Sequence, residues 1–223
     1  FFWEDVVSFL VLALHTAYLA ALLSGSFAPR DHMLIALAAY AARRNDAAAD
    51  GVSRLSPYLH HGHVSPLRIA REAAEAGGNG PEKFLDELVV WRELAHNLCF
   101  HRVHEVHTLA VLPPWARETL EAHGDDPRDT VLTWESLARG RTGDRLWALC
   151  QTSLVRHGEL HNNLRMTWGK AMVGWTASPE SALDFLIDLN HRFALDGSDP
   201  NSYGGLLWCL GLFDRPFEPE RCC

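Results

Sequence analysis

The sequence is short of lysine, paired cysteines and membrane-length apolar runs, and each shortage removes a class of protein. Only Lys83 and Lys170 are lysines; the other eighteen of its 20 basic residues are arginine. Against 28 acidic residues this leaves a net charge of −8. That excludes nucleic-acid binding through overall positive charge, but a local basic groove remains open. Arginine suits bidentate contacts to phosphate and carboxylate, although a GC-rich genome produces the same bias. The five cysteines (Cys99, Cys150, Cys209, Cys222 and Cys223) form no C-x-x-C pair. They argue against a disulfide framework or a zinc site, and for a reducing compartment. The apolar run Phe9 to Leu23 is fifteen residues long and holds His15 and Thr16. It is too short to span a bilayer and reads as a buried helix. No positively charged segment precedes it, so no signal peptide is read. The missing initiator Met and the Cys222-Cys223 ending suggest a fragment of a longer chain.

What is present is an ordinary globular composition, 48% apolar and 22% charged over 223 residues, enough for a substantial core. Helix signals punctuate nearly the whole length. Ser65-Pro66 predicts a helix over Leu67 to Ala76, stopped by Gly77-Gly78. Gly80-Pro81 opens another with Phe84, Leu88, Trp91, Ala95 and Leu98 on one face. Pro114 starts a short helix ending at Gly124, and Thr133 caps Trp134 to Arg139 ahead of Gly140. Thr142 opens a segment reaching Gly158, and Leu160 to Trp175 continues the pattern. Ser178-Pro179 begins a helix with Leu183, Leu186, Ile187 and Leu189 that stops near Gly197. Sustained alternation and Asn-Gly hairpin signals are missing. The fold class is all-α.

Common catalytic signatures are also missing: no G-x-G-x-x-G, Walker loop, H-E-x-x-H or G-x-S-x-G. Thirteen histidines include His101, His104 and His107 at i, i+3, i+6, but the third is rotated away from the first two. No metal site is read. Eight tryptophans include Trp168 and Trp175, seven apart on one predicted helix and so about 10 Å apart along its axis. Trp147 lies on the preceding one. Spacing alone favours core filling; a row of indoles relaying electrons is the alternative. Three polar constellations interrupt apolar segments. Ser53-Arg54-Leu55-Ser56-Pro57 offers hydroxyls and backbone N–H groups in a turn, suited to phosphate, or is an ordinary turn. Glu87 and Trp91-Arg92-Glu93 put charges in an apolar helix, where burial is costly without partners. His161 to Met166 does the same, and Asp196-Gly197-Ser198-Asp199 supplies acids able to pair with Arg165. Such a girdle suggests a polar ligand.

Taken together these segments resemble the FAD-binding helical domain of the photolyase/cryptochrome family, with the closest likeness to class II cyclobutane pyrimidine dimer photolyases. The matching stretches are Tyr40 with Arg43-Arg44-Asn45-Asp46, then Asp50 to His60. Next come Glu87 to Leu94 with Asn97 and Phe100, and His161 to Trp168. The last are Leu189-Asn190, Arg192-Phe193, Leu195-Asp196-Gly197, Asp199-Pro200-Asn201 and Tyr203-Gly204. The likeness covers residues 31–219, leaving 1–30 as a non-matching N-terminal apolar helix and 220–223 as a truncated tail.

The resemblance implies FAD as cofactor, with Tyr40 and the turn Ser53, Arg54, Leu55 and Ser56 holding its phosphates. It places Arg92 in the wall of the flavin pocket, Arg165 in a pair with Asp196 beside the isoalloxazine ring, and Asn190 near flavin N5. Glu93 faces the dimer, and Asn97, Asn162, Met166 and Trp208 line the substrate cavity. Trp168, Trp147 and Trp175 match the class II electron chain, Trp168 nearest the flavin and Trp175 nearest solvent. The implied partner is ultraviolet-damaged DNA with a flipped pyrimidine dimer, bound by a cytoplasmic monomer with no membrane association. An antenna pigment would belong to the family's amino-terminal α/β domain, which this sequence lacks. Asn162 stands where class II proteins commonly have Gly. A cryptochrome-like photoreceptor and a helical fragment without flavin are the alternative readings.

Overall fold

The computed structural model describes residue 37, residues 40–49 and residues 51–216. The expected helix at Phe9 to Leu23 and the tail at 220–223 lie outside them. The chain divides between Val90 and Trp91 into two compact units. Among the described residues every regular element is helical.

The first unit contains α1 (Tyr40–Arg43), α2 (Ser56–His60), α3 (Pro66–Ala76) and α4 (Asn79–Leu85). Proline opens α3 as expected, and Gly77 at φ 62° ends it. The Ser65 hydroxyl makes no capping bond, so the proline rather than the serine side chain marks that start. Leu37, Tyr40, Ile69, Ala73, Phe84 and Leu88 form the core of this unit. Tyr40 meets Phe84 edge-on at 5.5 Å. Glu87 is balanced by Arg44 at 2.7 Å and Lys83 at 3.0 Å.

One expectation changes here. The single helix predicted beyond Gly80-Pro81 is broken by a π-helical stretch, Asp86–Trp91. An extra residue in a turn rotates the downstream side chains by about 100°. Leu88 is buried while Val89 and Val90 are about half exposed, at 48% and 47%.

The second unit begins with α5 (Arg92–His101) and a short 3₁₀ turn (Leu109–Val111). It continues through α6 (Pro114–Ala122), α7 (Trp134–Ala138), α8 (Arg145–His157), α9 (Asn162–Trp175), α10 (Pro179–Phe193) and α11 (Pro200–Trp208). Thr133 and Ser178 cap α7 and α10 through their hydroxyls. The cap of α8 is Asp144, accepting from Trp147 N, rather than the expected Thr142. A carboxylate there also meets the positive end of the helix dipole. Gly158 closes α8 at φ 68° in the left-handed region, where a side chain is costly.

Leu137, Leu154, Trp168, Met172, Leu183, Leu186, Leu189, Leu206 and Leu207 form the heart of the second core. Helices α5 and α11 approach closely because Gly204 has no side chain: a Cβ there would lie 2.8 Å from Ala95 Cβ. Gly197 is equally constrained, since its Cβ would sit 2.7 Å from the Asn190 carbonyl oxygen. That approach folds the Asp196–Asp199 loop back against α10.

Candidate functional site

In the second unit the buried Asn190, Asp199 and Ser202 lie where α10, the loop before α11 and the start of α11 meet. Arg165, on α9, donates through both terminal nitrogens to Asp196 Oδ1, at 3.2 and 3.3 Å. The loop's acids were both candidates by charge alone, and the resemblance chose Asp196; the structure pairs Asp196 with Arg165 and Asp199 with Arg92. Arg92 Nη2 donates to Asp199 Oδ2 at 3.1 Å, and its guanidinium also meets the His96 ring. Asp199 carries a second duty as the cap of α11, accepting from Asn201 N at 2.9 Å.

Asn190 is fully buried on α10. Its amide nitrogen donates to Gly197 O at 3.1 Å and to Ser202 Oγ at 2.8 Å. The Gly197 carbonyl can only accept, so it fixes the amide orientation. The Asn190 oxygen then points elsewhere, and among the described residues it has no partner. A buried acceptor left alone costs about 1–3 kcal/mol. The polar frame therefore fits a ligand bearing an N–H or O–H donor, as a flavin does.

The indoles are in direct contact. Trp168 and Trp147 stack with centroids 5.8 Å apart and planes 11° from parallel. Trp147 meets Trp175 edge-on at 5.7 Å. Trp168 and Trp147 are buried, at 1% and 3% exposure, while Trp175 is partly exposed. Spacing on α9 could not reveal this, because Trp147 reaches the pair from α8.

A second aromatic group joins Trp91 and Trp208 at 4.7 Å, with Phe213 near both. Trp91 and Phe213 went unassigned in the sequence, although the Trp91-Arg92-Glu93 run was a signal for the first. Met166 is half-buried against Cys209, sulfur to sulfur at 3.8 Å. Glu93, Asn97 and Asn162 are exposed, and the Asn97 amide donates to the Glu93 carbonyl.

In the first unit, Tyr40 is buried, which pushes its phenol above the ordinary value, opposed by the neighbouring Arg44. The turn at Ser53 to Ser56 carries Arg54 at φ 52°, a conformation uncommon for a residue with a side chain. The Ser53 hydroxyl accepts weakly from Leu55 N at 3.5 Å. Leu55 packs on the first core, and Arg54 and Ser56 are exposed. Among the described residues no group of His, Cys, Asp or Glu is arranged to hold a metal ion, and no helix is long and apolar enough to cross a membrane.

Cys209 sits between the site and the core. Burial pushes its thiol from 9.0 up to about 12, only partly opposed by Lys170 and Arg165. In the unfolded chain this thiol ionises first, so its contribution to stability is intact below pH 9 and lost as pH rises toward 12. Cys209→Ala should flatten the alkaline part of the stability curve in urea titrations at successive pH values. In the native wild type, an alkylating reagent at neutral pH should reach the partly exposed Cys99 well before Cys209. Equal labelling of the two would contradict the burial argument.

The fold and site define an all-α domain with a polar, partly unsatisfied centre flanked by a contacting tryptophan row. Residues 1–49 match the family model described as 2-vinyl bacteriochlorophyllide hydratase, a stretch that extends past residue 30 to include Tyr40 and Arg43 to Asp46. About four-fifths of the chain is similar to deoxyribodipyrimidine photo-lyases. The protein of that name from Methanothermobacter thermautotrophicus is 41% identical over 178 residues, covering 80% of this chain and 39% of that protein. The one from Oryza sativa is 41% identical over 184 residues, 80% of this chain and 36% of the relative. The one from Potorous tridactylus is 42% identical over 176 residues, 77% and 33% respectively. A bacterial class III photolyase from Agrobacterium tumefaciens shares the fold, with a TM-score of 0.64 at 24% identity over 85% of this chain and 39% of its own. Over this segment the chain belongs to the photolyase family, and it spans about two-fifths of the length of its first curated relative.

Proposed function

We propose that this segment is the flavin-holding, catalytic part of a light-driven lyase that reverses cyclobutane pyrimidine dimers in DNA. The observation that carries the reading is the contact row Trp168–Trp147–Trp175 in a chain 41% identical to named photo-lyases. Core filling alone does not require three indoles in series from the deep interior to the surface.

Bound FAD supplies the light-driven electron transfer that opens the dimer ring. The chain's own residues hold and tune. Arg165 and Asp196 form a fixed ion pair whose charges cancel locally, so a planar heterocycle beside them meets oriented dipoles at little cost. The unpartnered Asn190 oxygen accepts a hydrogen bond from a flavin nitrogen, and its neutrality adds no charge to the reduced ring. Arg92, held by Asp199, forms a polar wall. In the first unit, Tyr40 and the Ser53, Arg54, Leu55 and Ser56 turn offer hydroxyl and backbone donors to phosphate oxygens.

For substrate, the exposed carboxyl of Glu93 offers a hydrogen bond to a dimer carbonyl when protonated, and Asn97, Asn162 and Met166 add polar and apolar contacts. Trp208, backed by Trp91, presents an indole on which an unstacked base can rest. Phosphates beside the lesion meet arginines at the rim, so binding weakens with salt despite the net charge of −8. The form implied is a cytoplasmic, DNA-associated monomer.

The test combines spectroscopy and repair. Purified protein loaded with FAD should reduce it under blue light, and dimers in ultraviolet-irradiated DNA should disappear under the same lamp. Reduced flavin with persistent dimers would replace the lyase by a photoreceptor. No uptake of flavin would end both readings.

A further inference from the structure

Gln151 is one of few buried polar side chains in the second unit, 1% exposed on α8 one turn beyond Trp147. Its amide nitrogen donates to Ala138 O at 3.2 Å, and its oxygen accepts from the Trp168 indole N–H at 3.1 Å. The Ala138 carbonyl has no proton to offer, so the amide can sit only one way round, with oxygen toward the indole. The next indole is treated alike: Trp147 Nε1 donates to the Trp168 backbone carbonyl at 2.9 Å. Both inner N–H groups therefore end on amide oxygens. No group able to take up a proton at neutral pH receives either of them.

That choice has a consequence for an oxidised indole. Removing one electron makes the ring a cation and its N–H strongly acidic. A basic acceptor would remove the proton and trap the hole as a neutral radical. An amide oxygen instead strengthens its bond to the charged donor, charge-assisted hydrogen bonds being roughly twice as strong as neutral ones, and leaves the proton in place. We propose that Gln151 is a positioning residue for electron transfer: it stabilises oxidised Trp168 as the protonated cation, so the charge stays mobile and moves outward through Trp147 to Trp175. This rests on the flavin reading above. One electron leaves Trp168 for a photoexcited flavin, one from Trp147 replaces it, and one from Trp175 replaces that. The only bond broken is the Trp175 N–H, whose proton passes to water at the partly exposed end of the row. A thiol reductant in solution restores Trp175.

Two substitutions separate this role from packing. Gln151→Leu keeps the volume and removes the acceptor. Gln151→Glu keeps the shape, mimics the amide while protonated, and becomes a base when ionised. In the protein without flavin, NMR of the indole N–H groups should show slow solvent exchange at Trp168, faster in the Leu variant and slow again in the Glu variant in acidic buffer. With FAD bound, transient absorption in the wild type should show a tryptophan cation at all pH values, decaying only to the neutral radical of Trp175. In the Leu variant the yield of oxidised Trp175 should fall roughly fivefold, the worth of one net hydrogen bond. In the Glu variant it should be near wild type in acid and lost in alkali, with a neutral radical left at Trp168.

A pH-independent Glu variant, or a Leu variant with wild-type yield, overturns the role of Gln151. A wild type that binds flavin and forms no tryptophan radical overturns the electron-row reading beneath it. The Trp168 N–H exchange rate reports the Gln151 bond in either case.

Discussion

Trp147→Phe should leave bound flavin essentially unreduced under blue light, while flavin content and helical structure stay near wild type. Trp147 is the only indole in contact with both of the others, at 5.8 Å from Trp168 and 5.7 Å from Trp175. Those two are seven residues apart on α9, about 10 Å along its axis. Phenylalanine fills most of the space but gives up an electron far less readily. A rate falls tenfold for each ~1.4 kcal/mol added to its barrier, so a loss of more than about a hundredfold is expected. The substitution also removes the Trp147 N–H bond to the Trp168 carbonyl, worth about 1 kcal/mol, a cost that thermal unfolding measures separately. Wild-type photoreduction in this variant would return the three tryptophans to the role of core filler.

The second large effect is expected at Asn190. Asn190→Leu removes the donor to Gly197 O and Ser202 Oγ, leaving one buried carbonyl and one buried hydroxyl short of a partner. At about 1–3 kcal/mol for each group left unsatisfied, set against a similar gain from removing the unpartnered Asn190 oxygen, urea unfolding should show a net loss of roughly 2 kcal/mol. The same change deletes the unpartnered oxygen, so flavin binding should weaken at least tenfold. Ser202→Ala distinguishes the two effects. It disturbs only one bond, at about 1 kcal/mol, and leaves the Asn190 amide oriented by its nitrogen's bond to Gly197 O. Its flavin affinity should therefore stay close to wild type. Parallel loss of affinity in both variants would mean that the fold, rather than that oxygen, sets the binding.

Much of the helical pattern was readable from punctuation. Proline starts at Pro66, Pro114 and Pro179 and glycine stops at Gly77 and Gly158 act within a turn or two, so their effect survives whatever packs against them. Local rules failed where a neighbour decided. Asp144 displaced Thr142 as cap because a carboxylate two residues on serves the helix end better. The π-helical stretch at Asp86–Trp91 carries no proline or glycine to announce it. Helix α11 was not read as an element, since its Gly204-Gly205 pair disfavours a helix and its sequence carries little amphipathic pattern.

The photolyase likeness was legible because several motifs recur in order, each keeping polar residues where an apolar helix would be cheaper to bury. The Arg165–Asp196 pair came with that likeness, and the structure forms it. The partner of Arg92 did not: only the fold of the Gly197 loop against Asn190 brings Asp199 to it. Gln151 had no sequence signal, because a glutamine on a helix is ordinary until an indole from another helix meets it. The sequence by itself determined most of the helices, the ends marked by proline and glycine, and the family to which their motifs belong, through short-range backbone preferences and the cost of buried charge. The tertiary structure alone decided which hydrogen bonds and ring contacts those residues make, because such contacts depend on ångström-scale approach between segments far apart in the chain.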